Sequence, residues 1–286
     1  MPTPFPELSL RRLTLDDLVS CVDLSENRGW PREEHKWGLL LTAGQGYGID
    51  DPSGQGLLAV SVVTSYGPDL SAIGMVLVSE RYARQGIGRR MMEQILEDAG
   101  KTPLTLYATA NGRPLYEQLG FVSVGSSEMV RGHLRPSARA AAEVVRTRRA
   151  TAEDLSAIIR LDTEVFGLDR THMLARLPAF ADQIRVAEEN GTLTGYAAAW
   201  PNEDTHVIGP LIAQDTGTAK ALIASLAPGT DRPFRTDIAV HHEELLGWLK
   251  EHGLETVASN TMMTYSIDAL PGDWTRRFAP LSVAAG

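Results

Sequence analysis

The run Leu10-Arg-Arg-Leu-Thr-Leu-Asp-Asp-Leu18 returns 137 residues later as Thr147-Arg-Arg-Ala-Thr-Ala-Glu-Asp-Leu155. Each is a strand-like piece followed by Thr-x-(Asp/Glu)-Asp-Leu, in which threonine can cap a helix and the acids suit its positive first turn. A second echo sets Tyr116-Glu-Gln-Leu-Gly-Phe-Val-Ser-Val124 against Leu249-Lys-Glu-His-Gly-Leu-Glu-Thr-Val257, at an offset of 133. Both members read as a helix stopped by glycine and followed by a strand. Two echoes at nearly constant offset predict two copies of one domain, and 286 residues accommodate them. The expected boundaries are one domain over 1–132, a connection over 133–145 that holds Pro136 and Ala138–Ala142, and a second domain over 146–286.

Within the first copy the pattern predicts a strand near Leu8–Leu13 and helices near Asp16–Glu26 and Glu33–Leu41. Strands follow near Gln55–Ser65 and Ala72–Val78, then a helix over Gly88–Ala99 and a strand over Pro103–Tyr107. A helix over Arg113–Leu119 and a strand over Phe121–Val130 complete it. Asp50-Asp-Pro-Ser-Gly54 is a hairpin turn signal. Early hairpins and a later strand-helix-strand crossover give α+β copies, each a mixed, mostly antiparallel sheet flanked by helices.

A formal net charge of −9 argues against nucleic-acid binding, which needs basic surface. The single cysteine, Cys21, forms no intrachain disulfide and lies in an apolar helical pattern, as a buried structural thiol would. The start has no long apolar core, and no run approaches the ~18 apolar residues of a membrane span, so the expected compartment is the cytoplasm. His241-His242 tempts a metal reading, but adjacent helical residues point about 100° apart and cannot share a ligand face. No metal is expected.

The stretch from Val76 to Leu96 carries the chemistry. An apolar strand, Gly74–Val78, leads through Arg84-Gln-Gly-Ile-Gly-Arg89 into a helix with Met91, Met92, Ile95 and Leu96 on its apolar face. Glycines at 86 and 88 let a ligand approach backbone N–H groups at a helix start, where the dipole favours a pyrophosphate. No Gly-Lys-(Ser/Thr) follows, as a Walker loop requires, and Met91 stands where a dinucleotide fingerprint needs its third glycine.

The arrangement resembles the acetyl-CoA motif of the GCN5-related N-acetyltransferases (GNAT), (Gln/Arg)-x-x-Gly-x-(Gly/Ala). Gly86 and Gly88 take the small positions, and Ala83 departs from the first. Asn111-Gly-Arg-Pro-Leu-Tyr-Glu-Gln-Leu-Gly-Phe121 is similar to the family's later Asn…Tyr-Glu-x-Leu-Gly-Phe segment. The resemblance spans about the first 130 residues. It implies acetyl-CoA held by Val76, Leu77, Val78, Arg84, Gln85, Gly86, Ile87, Gly88, Arg89 and Asn111, with β-strand splaying at Met75–Val78. It implies direct attack by a substrate amine, with the Tyr116 phenol protonating the departing thiolate. Tyr116 is otherwise a helix-face aromatic packed on the sheet, and Asn111 can equally cap the helix near Arg113. The glutamate base of many relatives is missing from Asp69-Leu-Ser-Ala-Ile73, so the base is left open. Trp30, Glu33 and Glu34 fall where the fold covers the acceptor, or form a solvated first turn beside a packed tryptophan.

Gln214-Asp-Thr-Gly-Thr-Ala219 satisfies the same motif in the second copy. Its loop is shorter: four positions separate Ala213 from Gly217, against eight from Val78 to Gly86. It has no arginine, Asp215 would oppose phosphates, and Leu249 replaces Tyr116. The second copy reads as degenerate, shaping an acceptor cleft between the halves. The expected function is transfer of acetyl from acetyl-CoA to a small primary amine, such as an amino acid, a polyamine or an amine-bearing antibiotic, by a monomer or homodimer. The rival reading is a CoA- or metabolite-binding sensor without chemistry.

Overall fold

In the computed structural model, which describes residues 9–135 and 145–286, the repeated opening has one physical role in both copies. Asp17 accepts from the Thr14 amide at 2.9 Å and from Arg11 Nη2 at 2.7 Å. Asp154 accepts from the Thr151 amide at 2.8 Å and from Arg148 Nη1 at 2.7 Å. An Arg-x-x-Thr-x-x-Asp unit thus fastens the first strand of each half to its first helix through a capping box.

The first half runs β1 (Arg11–Leu13), α1 (Leu18–Asn27), α2 (Glu34–Ala43), β2 (Gln45–Asp50), β3 (Leu57–Ser65) and β4 (Ser71–Val78). It continues with α3 (Ile87–Ala99), β5 (Leu104–Ala108), α4 (Arg113–Gln118) and β6 (Val122–Gly132). The second half runs β7 (Thr147–Arg149), α5 (Leu155–Phe166), α6 (Thr171–Leu174), α7 (Leu177–Phe180), β8 (Gln183–Glu189) and β9 (Thr192–Asn202). Then come β10 (Thr205–Ala213), α8 (Thr216–Leu226), β11 (Phe234–Ala239), α9 (Glu243–Glu251), β12 (Leu254–Tyr265) and β13 (Arg277–Ala279). β2 was not among the expected strands: its sequence, Gln-Gly-Tyr-Gly-Ile-Asp, is poor in strand formers and is held by pairing on both sides. Part of the expected connection, 136–144, lies outside the described residues.

The two sheets run together as one of 13 strands, in the order β1-β2-β3-β4-β5-β12-β6-β11-β10-β9-β8-β7, with β13 on β10. The last long strands of the halves have changed places: β12 lies between β5 and β6, and β6 pairs with β12 and β11. Ser127 faces Asn260, its own counterpart at the repeat offset, so the halves meet about a pseudo-twofold axis. On one face α1, α2 and α5–α7 share a single core across both halves, with Trp37, Leu40, Phe166 and Trp200 fully buried. On the other face α3 and α4 cover one core, around Met91, Met92 and Phe121, and α8 and α9 another, around Leu222, Leu245 and Leu249. Cys21 is fully buried in the shared core, and burial pushes its thiol up to about 12.

Candidate active site

Strands β4 and β5 begin as a parallel pair, Ser71–Leu104, Ala72–Thr105 and Ile73–Leu106, and their ladder then stops. The cause is a bulge. Val62 faces Gly74 but Val60 faces Leu77, so Met75 and Val76 together oppose one residue, and Met75 takes φ +54°. A bulge bends its strand. β5 stays with β12 as far as Ala108 while β4 swings away. The gap that opens leaves the β5-facing backbone of Gly74–Val78 without a ladder partner.

This gap is a cleft of about 490 Å³. Val76, Leu77 and Val78 form one wall, and Asn111 and Gly112 the other. The basic loop, with Arg84, Gly86, Ile87, Gly88 and Arg89, closes its end. Arg84 at φ +60° and Gly86 at φ +79° are both left-handed, a conformation that turns successive N–H groups toward one point. Gly86 is the N-cap of α3 and supplies no side chain to bond the first-turn amides. Those donors, the positive end of the helix and two exposed arginines suit a pyrophosphate.

Of the residues expected to hold the cofactor, only Gln85 lies outside the cleft lining; its amide donates to the Arg81 carbonyl at 3.4 Å. Trp30 lines the cleft from the α1–α2 connection, together with Arg28. Glu33 and Glu34 are not brought there. Glu34 is exposed, 3.5 Å from Arg32. Glu33 is buried, pairing with Lys36 and, at 3.0 Å, with Arg235 of β11. Tyr116 stands behind Gly112: its hydroxyl lies 3.7 Å from the position a Cβ on Gly112 would take. The phenol packs edge-on against Phe121, and burial pushes its pKa up to about 12, so it keeps its proton at neutral pH. Arg28, Thr109 and Leu115 also line the cleft and went unread in the sequence, since only the folded β4–β5 gap brings them together.

The corresponding gap of the second half is built alike and then closed. β10 and β11 pair at His206–Phe234 and Val207–Arg235, and β10 bulges between Ile208 and Leu211. Into that space comes β13, pairing Leu211 with Ala279 and Ile212 with Arg277. His242 and His241 hold the inserted segment, bonding the carbonyls of Arg277 and Trp274, each at 2.9 Å. The N-terminus of α8 is occupied too: Asp215 accepts from the Thr218 amide at 2.7 Å.

Models of the acetyltransferase (GNAT) domain match residues 59–136 and 158–279. The uncharacterized N-acetyltransferase YitH of Bacillus subtilis (strain 168) is 33% identical over 249 residues, which is 85% of this chain and 86% of that protein. The chain belongs to the GNAT acetyltransferase family. It is a tandem GNAT protein, each half carrying one copy of the fold. A proposed acetyltransferase from Pyrococcus horikoshii shares that fold over 100% of this chain and 99% of its own, with a TM-score of 0.82 at 20% identity. A tandem GNAT protein from the clavulanic acid biosynthesis pathway matches over 91% of this chain and 98% of its own, with a TM-score of 0.61 at 14% identity.

Proposed function

We propose that this N-acetyltransferase uses acetyl-CoA in the first half alone, and that a small primary amine approaches from between the halves. One observation carries the reading. The β4–β5 gap is open and ends at an uncapped helix start, whereas its counterpart is filled by β13 and capped by Asp215.

Bound in the cleft, acetyl-CoA would supply an acetyl group activated as a thioester. The loop amides around Gly86 bind the pyrophosphate, and Arg84 and Arg89 offset its charge. The unpaired backbone of Gly74–Val78 supplies hydrogen bonds to the amides of a pantetheine arm, as a strand partner would. Tyr116 holds a proton behind Gly112 for the leaving sulphur. A protein built only to sense CoA has no use for such a donor, which sets the sensor reading behind this one.

Calorimetry with acetyl-CoA on the wild type, Gly86→Glu and Gly217→Glu tests this division. One site per chain, lost only in Gly86→Glu, together with amine-dependent release of CoA, supports it. Two sites, or a loss confined to Gly217→Glu, would overturn it.

A further inference from the structure

Two residues of the cleft lining, Arg28 and Trp30, belong to the connection between α1 and α2, and the residues that follow them are held by the second half. The connection turns at Gly29, at φ +71°, and runs on through Trp30-Pro31-Arg32. Proline fixes its own φ and restricts the residue before it, so whatever holds Arg32 also limits where Trp30 can go. Arg32 is tied in two directions. Its guanidinium bonds Asp23 at 2.9 Å and Glu26 at 2.8 Å on α1, while its amide donates to Glu203 Oε1 of the second half at 2.6 Å. Next, the buried Glu33 pairs with Arg235 Nη1 at 3.0 Å. The His35 ring then stacks on Phe180 at 4.4 Å and bonds its carbonyl at 2.6 Å.

Glu203 lies in the short turn between β9 and β10 at φ +40°, a left-handed conformation that is costly for a glutamate. The turn is fastened on both sides. Arg232 Nη1 bonds the Glu203 carbonyl at 2.9 Å, and Asp204 pairs with Arg131 at 2.5 Å. A strained, anchored turn of one half thus aims a carboxylate at an amide of the other. The pseudo-twofold repeats the contact: from the β3–β4 turn, Tyr66 packs its ring against Phe166 at 5.2 Å and His172 at 5.8 Å. Each half therefore braces the helical connection of its neighbour, and the connection braced by Glu203 is the one beside the open gap.

We infer that Glu203 and Arg235 are positioning residues for the first half's cleft: the second half clamps the α1–α2 connection and so sets Arg28 and Trp30 in the cleft wall before a ligand arrives. The inference rests on the reading that this cleft binds acetyl-CoA. Ordering a loose connection at the moment of binding would cost affinity, and a wall held in advance avoids that cost. A half whose own gap is filled by β13 still serves the working site in this way.

Hydrogen exchange read by mass spectrometry and calorimetry with acetyl-CoA are compared for wild type, Glu203→Gly, Glu203→Gln, Arg235→Met, Arg235→Lys and Asp204→Ala. Glu203→Gly removes the carboxylate and relaxes the left-handed backbone, so the chain stays folded. In this variant the amides of residues 28–33 are expected to exchange about tenfold faster, and the acetyl-CoA Kd to rise about fivefold. Glu203→Gln, whose side-chain oxygen still accepts, keeps both near wild type. Arg235→Met moves both in the same direction as Glu203→Gly, and Arg235→Lys restores them in part. Asp204→Ala loses an exposed ion pair on the same turn and changes neither. Unchanged exchange over residues 28–33 in Glu203→Gly would overturn the inference, as would faster exchange throughout the chain or an unaltered acetyl-CoA affinity. A wild type that binds no acetyl-CoA would instead remove the reading of the cleft, and the exchange pattern alone would then uphold or overturn the clamp.

Discussion

Asp215 Oδ1 accepts a hydrogen bond from the Thr218 amide at 2.7 Å, placing a carboxylate where the equivalent helix of the first half has only Gly86. The same strand-loop-helix segment thus ends at an uncapped helix start in one copy and at a self-capped one in the other. The first-half loop gains reach and arginines, and the second-half loop spends its acid on its own amides.

Asp215→Ala removes the cap and is expected to cost about 1 kcal/mol of stability. It should create no second acetyl-CoA site, because β13 still fills the β10–β11 gap. Thermal melts and calorimetric stoichiometry check both halves of the statement, and a second binding event in this variant would show that the cap alone had closed the site.

Gly74 and Gly209 stand at the two bulges, and neither has room for a Cβ: it would fall 2.2 Å from the Ala284 carbonyl oxygen in one case and 2.2 Å from that of Pro280 in the other. Residues 280–284 therefore bridge the two gaps on the shared-core side, with Leu281 and Ala284 buried. Gly74→Ala should push this segment off β4 and destabilise the fold by about 1–3 kcal/mol, the usual cost of overpacking. Denaturant unfolding measures it. A neutral result would mean that the segment yields freely.

Asp154 is held well below the usual carboxylate range, first by its hydrogen bonds from Arg148 and then by those from Thr151. A depressed carboxylate stabilises the fold above its unfolded pKa, near 3.8, and that contribution is lost as pH falls through the folded value. Asp154→Asn is expected to lose about 1–2 kcal/mol at pH 7, cap and ion pair together. The gap to wild type should narrow below about pH 4. Melting temperatures across that range decide it; a gap that stays constant with pH would rule out the ionic part.

Much of this was legible in the sequence because it is local. Thr-x-(Asp/Glu)-Asp-Leu after a strand-like piece, seen twice, predicted the repeat, since a helix cap spans only a few residues. The loop from Arg84 to Arg89 was legible as a strand-to-helix turn because strand, glycines and helix start are contiguous in the chain. The same locality exposed the weakness of the second copy, where Asp215 and the short loop are adjacent in the chain.

What the sequence could not disclose is what depends on partners far apart in the chain. The exchange of β6 and β12 is a choice of neighbour, and strands of similar pattern pair equally well on paper. The filling of the second gap by β13 joins Ile212 to Arg277 across 65 residues, and no periodicity reports it. Glu33 read as an acceptor-site acid or a solvated first-turn one, and the fold instead buries it against Arg235. The chain by itself determined two GNAT copies and one glycine loop leading into a helix start, because local backbone geometry suffices for each. The tertiary structure decided which gap stays open and which is filled, because that depends on which distant segments the halves bring together.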